Sequence, residues 1–153
     1  MIVFRITKAK YANDLSGRGA EKAGGRWNQR GYPMLYTCQS RALAAMELAV
    51  HIALSTIEHD YKILTIEVPE TPVYIFPEEQ LPSDWQQFPF PQSTQWLGTQ
   101  WLTDGDYLIM KVPSVVIEGD FNFLINPLHP LFRDIGIMES KVFEFDTRLK
   151  EGP

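Results

Sequence analysis

A chain of 153 residues, 44% hydrophobic and 22% charged, has the make-up of one soluble globular domain and excludes a fibrous or disordered polymer. Its formal net charge of −5 opposes non-specific attraction to nucleic acid, and a single cysteine, Cys38, excludes an internal disulfide framework or a Cys-rich zinc site. With no signal-like start and no apolar run near the ~20 residues of a membrane span, the expectation is one cytoplasmic domain over 1–153, with no membrane and no direct nucleic-acid partner.

In chain order, residues 2–6 read as a strand, after which Gly17, Gly19, Gly24, Gly25 and Gly31 gather half of the ten glycines into one segment. Glycine permits close backbone approach to a ligand at an entropic cost that a plain connector need not carry, so this segment reads as a shaped loop. Residues 34–37 form a second short strand. Ser40 is placed to cap a helix over 40–56, in which Leu43, Met46, Val50 and Leu54 repeat at helical spacing as a core-facing stripe. Residues 61–68 alternate as a third strand, and 73–76 extends the sheet past Pro69 and Pro72. The stretch 77–91 holds four prolines with Trp85, Phe88 and Phe90. It reads as an irregular loop packed through its rings, with a mobile lid as the alternative.

A second helix is predicted over 92–102, with Trp96, Leu97 and Trp101 clustered one turn apart and Asp104-Gly105 as its stop. Strands follow over 107–112, 115–118, 121–125 and 141–145, and Asn126-Pro127 and His129-Pro130 break the chain between the last two. Helices and strands mix without βαβ repetition, which predicts a single compact α+β domain.

Familiar nucleotide motifs fail on inspection. Gly19 and Gly24 have the outer spacing of a P-loop, but Gly25-Arg26 stands where Lys and a hydroxyl should follow. Gly17-Arg18-Gly19 lacks the third glycine of a dinucleotide fingerprint. Glu47 is more informative: at ~100° per residue it lies ~40° from Leu43, inside the apolar stripe. A carboxylate there faces the interior or a cleft and needs a donor, either an arginine or a hydroxyl, to offset its desolvation. The plainer reading is a structural glutamate held by an ion pair or a loop amide. Arg26 follows two glycines and offers a planar five-donor cation suited to pyrophosphate or carboxylate, though a solvated loop arginine would look the same. Tyr36 sits on the strand before the Glu47 helix, where it lines the same cleft or belongs to the core. Ser114 lacks a G-x-S-x-G context, which argues against a serine hydrolase. His51, His59 and His129 have no metal-ligand spacing, so no metal is expected, and His129 between prolines reads as a turn residue.

Taken in order, Phe4-Arg5, Gly17-Arg18-Gly19-Ala20, Gly24-Gly25-Arg26-Trp27-Asn28, Gly31, Leu35-Tyr36, Glu47, His51, Val112-Pro113-Ser114 and the run from Asn122 to Pro130 resemble the RES-domain family, toxins of bacterial toxin–antitoxin pairs. The resemblance spans nearly the whole chain. It implies an ADP-ribosyltransferase-like split β-sheet flanked by helices, NAD as the substrate, and a cognate Xre-like antitoxin as partner. By the same resemblance, Arg26, Glu47 and Ser114 take the family's catalytic Arg, Glu and Ser positions, with Ser93 and Thr94 as competing hydroxyls. Arg5, Arg26, Tyr36 and Glu47 would contact NAD.

The expected chemistry is cleavage of the nicotinamide–ribose bond through an oxocarbenium-like transition state. Arg26 and Arg5 would hold the pyrophosphate, Glu47 would stabilise positive charge on the sugar, Tyr36 would pack on the nicotinamide side, and Ser114 would order Glu47, the ribose or a phosphate. Water as acceptor makes a glycohydrolase, inorganic phosphate a phosphorylase, and a protein side chain a mono-ADP-ribosyltransferase. The rival class is a non-catalytic module that binds an anion or a partner.

Overall fold

The computed structural model describes residues 1–54 and 60–151. Among these residues, seven strands form one mixed sheet in the order β4-β5-β6-β2-β1-β3-β7. They are β1 (Ile2–Lys8), β2 (Leu35–Cys38), β3 (Tyr61–Glu67), β4 (Val73–Ile75), β5 (Ile109–Pro113), β6 (Phe121–Ile125) and β7 (Gly136–Phe143). Only β4 and β5 run parallel; every other neighbouring pair is antiparallel. Among the described residues, four α-helices accompany them: α1 (Arg18–Ala23), α2 (Arg41–His51), α3 (Gln92–Asp104) and α4 (Thr147–Lys150). The single compact α+β domain expected from the pattern is what forms.

The sheet is nearly two sheets. β1 pairs with β3 at every residue from Ile2 to Lys8, but with β2 at one position, Phe4 opposite Cys38. This seam divides β4-β5-β6-β2 from β1-β3-β7, which is the split the sequence led us to expect. The strands on the β2 side are covered on both faces, so alternate residues enter different cores. Ile109 and Ile125 join Val3, Leu35, Leu64 and Ile66 on one face. Met110 and Leu124 join Trp27, Met34, Trp101 and Leu102 on the other.

Helix α2 begins as expected, the Ser40 side chain accepting from the Leu43 amide. It stops at His51, because Ile52 leaves in an extended conformation (φ −133°, ψ 151°); residue 56, the expected end, lies outside the described residues. The core-facing stripe requires correction. Leu43 is buried beside Ala44, whereas Met46 and Val50 are 43% and 56% exposed. Only the first turns of α2 sit on the sheet, and its later turns overhang open space.

Helix α3 ends at Gly105 as predicted. Trp101 and Leu97 turn toward the core while Trp96 is 55% exposed, so the three do not cluster. Residues 115–118 are not a strand. The Ser114 hydroxyl accepts from the amides of Val116 and Ile117 at 3.0 and 3.1 Å, closing the chain into a turn instead of freeing those amides for a ladder. β7 starts five residues earlier than the 141–145 expectation and carries a bulge where it passes Thr65 and Ile66 of β3. The Asn126–Pro130 element is structural. Asn126 Nδ2 donates to the Leu102 carbonyl at the end of α3, and His129 Nδ1 accepts from the Leu131 amide to open a 3-10 turn, as expected for a turn residue. Among the described residues, no helix is long and apolar enough to cross a membrane.

Candidate active site

A cleft of about 780 Å³ opens over the seam, within the range of small-molecule sites. Its floor comes from the sheet: Arg5 and Ile6 of β1, Tyr36 to Cys38 of β2, and Asn122 and Leu124 of β6. One wall is the overhanging part of α2, with Glu47, Leu48, Val50 and His51; the other is the glycine segment with Arg26 and Trp27. Gln86, Phe88 and Phe90 of the proline-rich stretch close the mouth.

The glycine segment is more ordered than the sequence suggested. It contains α1, and its turn is knotted by Asn28, a fully buried side chain that the sequence reading left without a role. Asn28 Nδ2 donates to the carbonyls of Ala20 and Tyr32 at 2.8 and 2.9 Å, while its Oδ1 accepts from the Tyr36 hydroxyl at 2.6 Å. The same hydroxyl accepts from the Trp27 amide at 3.0 Å. Gly25 is required here, since a Cβ would stand 2.5 Å from that hydroxyl and 2.8 Å from Asn28 Oδ1. Tyr36 therefore reaches the cleft, but its polar end is spent on loop architecture, and burial raises its pKa well above the ordinary phenol value.

Helix α3 supports the knot from behind through one face. Gln95 Nε2 donates to the Gly25 carbonyl, Thr99 Oγ1 accepts from the Gln29 amide, and between them Gly98 lies against the Trp27 backbone so closely that a Cβ would collide with its carbonyl. The i, i+3, i+4 spacing of 95, 98 and 99 was readable, but its partner was not, because that contact joins distant parts of the chain.

Arg26 is aimed by this turn. Its Nη1 donates to the carbonyls of Trp85 (2.6 Å) and Gln87 (2.8 Å), and its guanidinium lies 5.3 Å from the centre of the Phe90 ring. Among the described residues, no hydrogen bond engages its Nε or Nη2. Burial lowers the pKa of Arg26, and the charge of Glu47 is the principal influence opposing that shift. Arg5 crosses the seam, Nη1 donating to the Tyr36 carbonyl at 3.0 Å, and its buried Nε has no partner among the described residues. Burial lowers the Arg5 pKa as well, against weaker opposing pulls from Cys38 and Asp14.

Across the cleft, Ser114 Oγ donates to Glu47 Oε1 at 3.2 Å while accepting the two amides of its own turn. The hydroxyl donor that the inward carboxylate demanded is thus Ser114, which is only 4% exposed. The competing hydroxyls are engaged elsewhere, Ser93 donating to Asp84 at 2.6 Å and Thr94 to the Pro91 carbonyl; none of the three lines the cleft itself, and Ser114 bears on it through its bond to Glu47. Cys38 and Asn122, opposite each other on β2 and β6, were missed because only strand pairing unites them. Asn122 Nδ2 donates to Cys38 Sγ at 3.4 Å. Burial, helped by the Glu47 charge, pushes the thiol up to about 12, so it is no nucleophile near neutral pH.

The Arg26 cation on one wall, a hydroxyl-held carboxylate on the other and at the floor a second cation, Arg5, with its orphan Nε suit a ligand carrying both phosphates and sugar hydroxyls. Comparison with known proteins gives the family and the fold. The RES domain family model matches residues 2–146. The chain is 34% identical over 152 residues to Toxin Res of Yersinia enterocolitica, covering 98% of this chain and 100% of that protein. It is 33% identical over 141 residues to the Prs ADP-ribosylating toxin of a Sphingobium species, covering 90% and 88%. In structure, it matches a chain of the M. tuberculosis MbcT–MbcA toxin–antitoxin complex with a TM-score of 0.72 at 19% identity, over 93% of this chain and 83% of that one. By family match and by relatives aligned nearly end to end, the chain belongs to the RES-domain family of toxins.

Proposed function

We propose that this chain, as one NAD-consuming domain acting in the cytoplasm, depletes NAD by cleaving the bond between nicotinamide and ribose. The observation that carries this reading is the placement of Arg26 and the Ser114-held Glu47 on opposite walls of one cleft. Arg26 keeps Nε and Nη2 for phosphate oxygens while Nη1 stays with the loop, and Arg5 supplies a second cation at the floor. Glu47 Oε1 is fixed by Ser114, and its carboxylate stabilises the positive charge that grows on the ribose as the glycosidic electrons leave with nicotinamide. The acceptor then adds to the anomeric carbon. Water yields ADP-ribose and a proton, and inorganic phosphate yields the phosphorylated sugar.

Transfer to a protein side chain is the second reading, favoured by the ADP-ribosylating toxin among the relatives. Antitoxin control is proposed from the toxin–antitoxin complex that the fold resembles, with an Xre-like partner covering or distorting the arginine-lined cleft. Incubating the purified protein with NAD, with and without phosphate and with candidate protein targets, and weighing the products separates these cases. Intact NAD in every condition would refute the reading and leave a non-catalytic binding module.

A further inference from the structure

The Arg26, Glu47 and Ser114 chemistry accounts for the phosphates and sugar of a dinucleotide but leaves its flat rings without a partner. Four aromatic side chains line the cleft: Trp27, Tyr36, Phe88 and Phe90. Trp27 is buried within the core, and Tyr36 is committed to the Asn28 knot. Phe90 packs on the Arg26 guanidinium. Phe88 differs from all three, being 73% exposed, the most exposed large hydrophobic side chain among the described residues.

We propose that Phe88 is the stacking face of a base-binding subsite at the cleft mouth, taking an aromatic base of a dinucleotide; this rests on the NAD reading above. The subsite is held in place. The carbonyls on either side of Gln86, from Trp85 and Gln87, are both bonded by Arg26 Nη1, so the chain entering Phe88 is tied to the phosphate-binding residue. Phe90 meets Phe88 at right angles, centroids 5.4 Å apart, a contact that occupies at most one face of the Phe88 ring. A ring so placed gains contact area only when a flat ligand covers it, and base stacking tolerates any base because each has a π-face.

The test is calorimetric binding of ADP-ribose, nicotinamide mononucleotide and inorganic pyrophosphate to wild type, Phe88→Ala, Phe88→Trp and the surface control Trp96→Ala. Phe88→Ala is expected to weaken ADP-ribose if the subsite takes adenine, or the mononucleotide if it takes nicotinamide, by about fivefold to a hundredfold. Pyrophosphate binding should be retained, Phe88→Trp should restore the lost affinity, and Trp96→Ala should match wild type throughout. In turnover the defect should appear in KM, with kcat within about threefold. Wild-type affinity of Phe88→Ala for both base-bearing ligands overturns the subsite. A wild-type protein that binds ADP-ribose with Phe88-dependent affinity yet never releases nicotinamide sinks the catalytic reading and leaves the subsite standing. Wild-type protein that binds neither half of the dinucleotide sinks both.

Discussion

Glu47→Gln isolates charge from shape at the centre of the site. Ser114 Oγ donates to Glu47 Oε1, and a glutamine can present its amide oxygen in the same place, so the hydrogen bond survives with a neutral acceptor in place of a charged one. That exchange weakens one bond by about 1 kcal/mol, less because the side chain is only half-buried, and a domain of this size then loses no more than about 4 °C in Tm. Loss of the charge facing a developing oxocarbenium is larger, about 3–4 kcal/mol, or 10²–10³ in kcat. Nicotinamide release measured beside thermal unfolding separates the two effects. A folded Glu47→Gln protein with kcat within about threefold of wild type would remove the carboxylate from the chemistry, whatever its place in the cleft.

Three further outcomes follow from other parts of the fold. Arg26→Lys keeps the charge but gathers the donors on one nitrogen, losing the planar fork in which Nη1 holds two loop carbonyls while Nε and Nη2 remain for phosphate; NAD binding should weaken at least tenfold, and proteolysis within 81–91 should accelerate. Wild-type binding and wild-type proteolysis would show the residue to be a solvated arginine. Gly98→Ala drives a methyl into the Trp27 carbonyl, where backbone faces backbone, and should lower stability by about 3 kcal/mol, or about 6–12 °C in Tm; an unchanged Tm would place α3 elsewhere. Cys38 should resist alkylation in the folded protein at pH 8, its thiol being pushed up to about 12 from 9.0. Its folded pKa exceeds its unfolded one, so its contribution to stability is present below pH 9 and is lost as pH rises from 9 to about 12. Cys38→Ala should flatten that part of the stability profile, and an identical alkaline profile would remove Cys38 as its source.

Glu47 was legible because helical period is a local property: a carboxylate inside an apolar face must turn toward something, whatever the rest of the chain does. The need for a donor followed from desolvation alone, but whether it is an arginine or a hydroxyl, and which hydroxyl among Ser114, Ser93 and Thr94, depended on β5 ending near α2, which is tertiary. The same local rule misjudged the stripe. Met46 and Val50 have the right spacing for a core, yet α2 is only partly seated on the sheet, and periodicity reports a shared face without saying what that face meets. Residues 115–118 failed for a different reason. Their β-branched composition favours a strand, but one buried hydroxyl accepting two amides outweighed propensity. Tyr36 lines the cleft, but the bonds its hydroxyl makes in the Asn28 knot were not legible, since they join strand to loop and leave no periodic trace.

The seam explains why these residues meet at all. Where β1 and β2 pair at one position, the sheet offers no continuous ladder, and the backbone carbonyl of Tyr36 is left to be satisfied by the Arg5 side chain instead of by a neighbouring strand. That substitution puts a cation at the bottom of the gap. The gap needs walls, and the glycine segment can come close enough only because Gly25 and Gly98 remove the two side-chain atoms that would hold it away from Tyr36 and α3. Arg26 then joins the glycine segment to the stretch at the mouth by using one nitrogen for two carbonyls, which leaves the guanidinium's remaining donors without a hydrogen bond among the described residues. A serine or backbone amide in that position, with one donor, would have to choose between closing the mouth and binding an anion, and a lysine would have to serve both from a single nitrogen. An arginine does both at once, so anion binding and retention of the Phe88 loop are coupled through a single side chain.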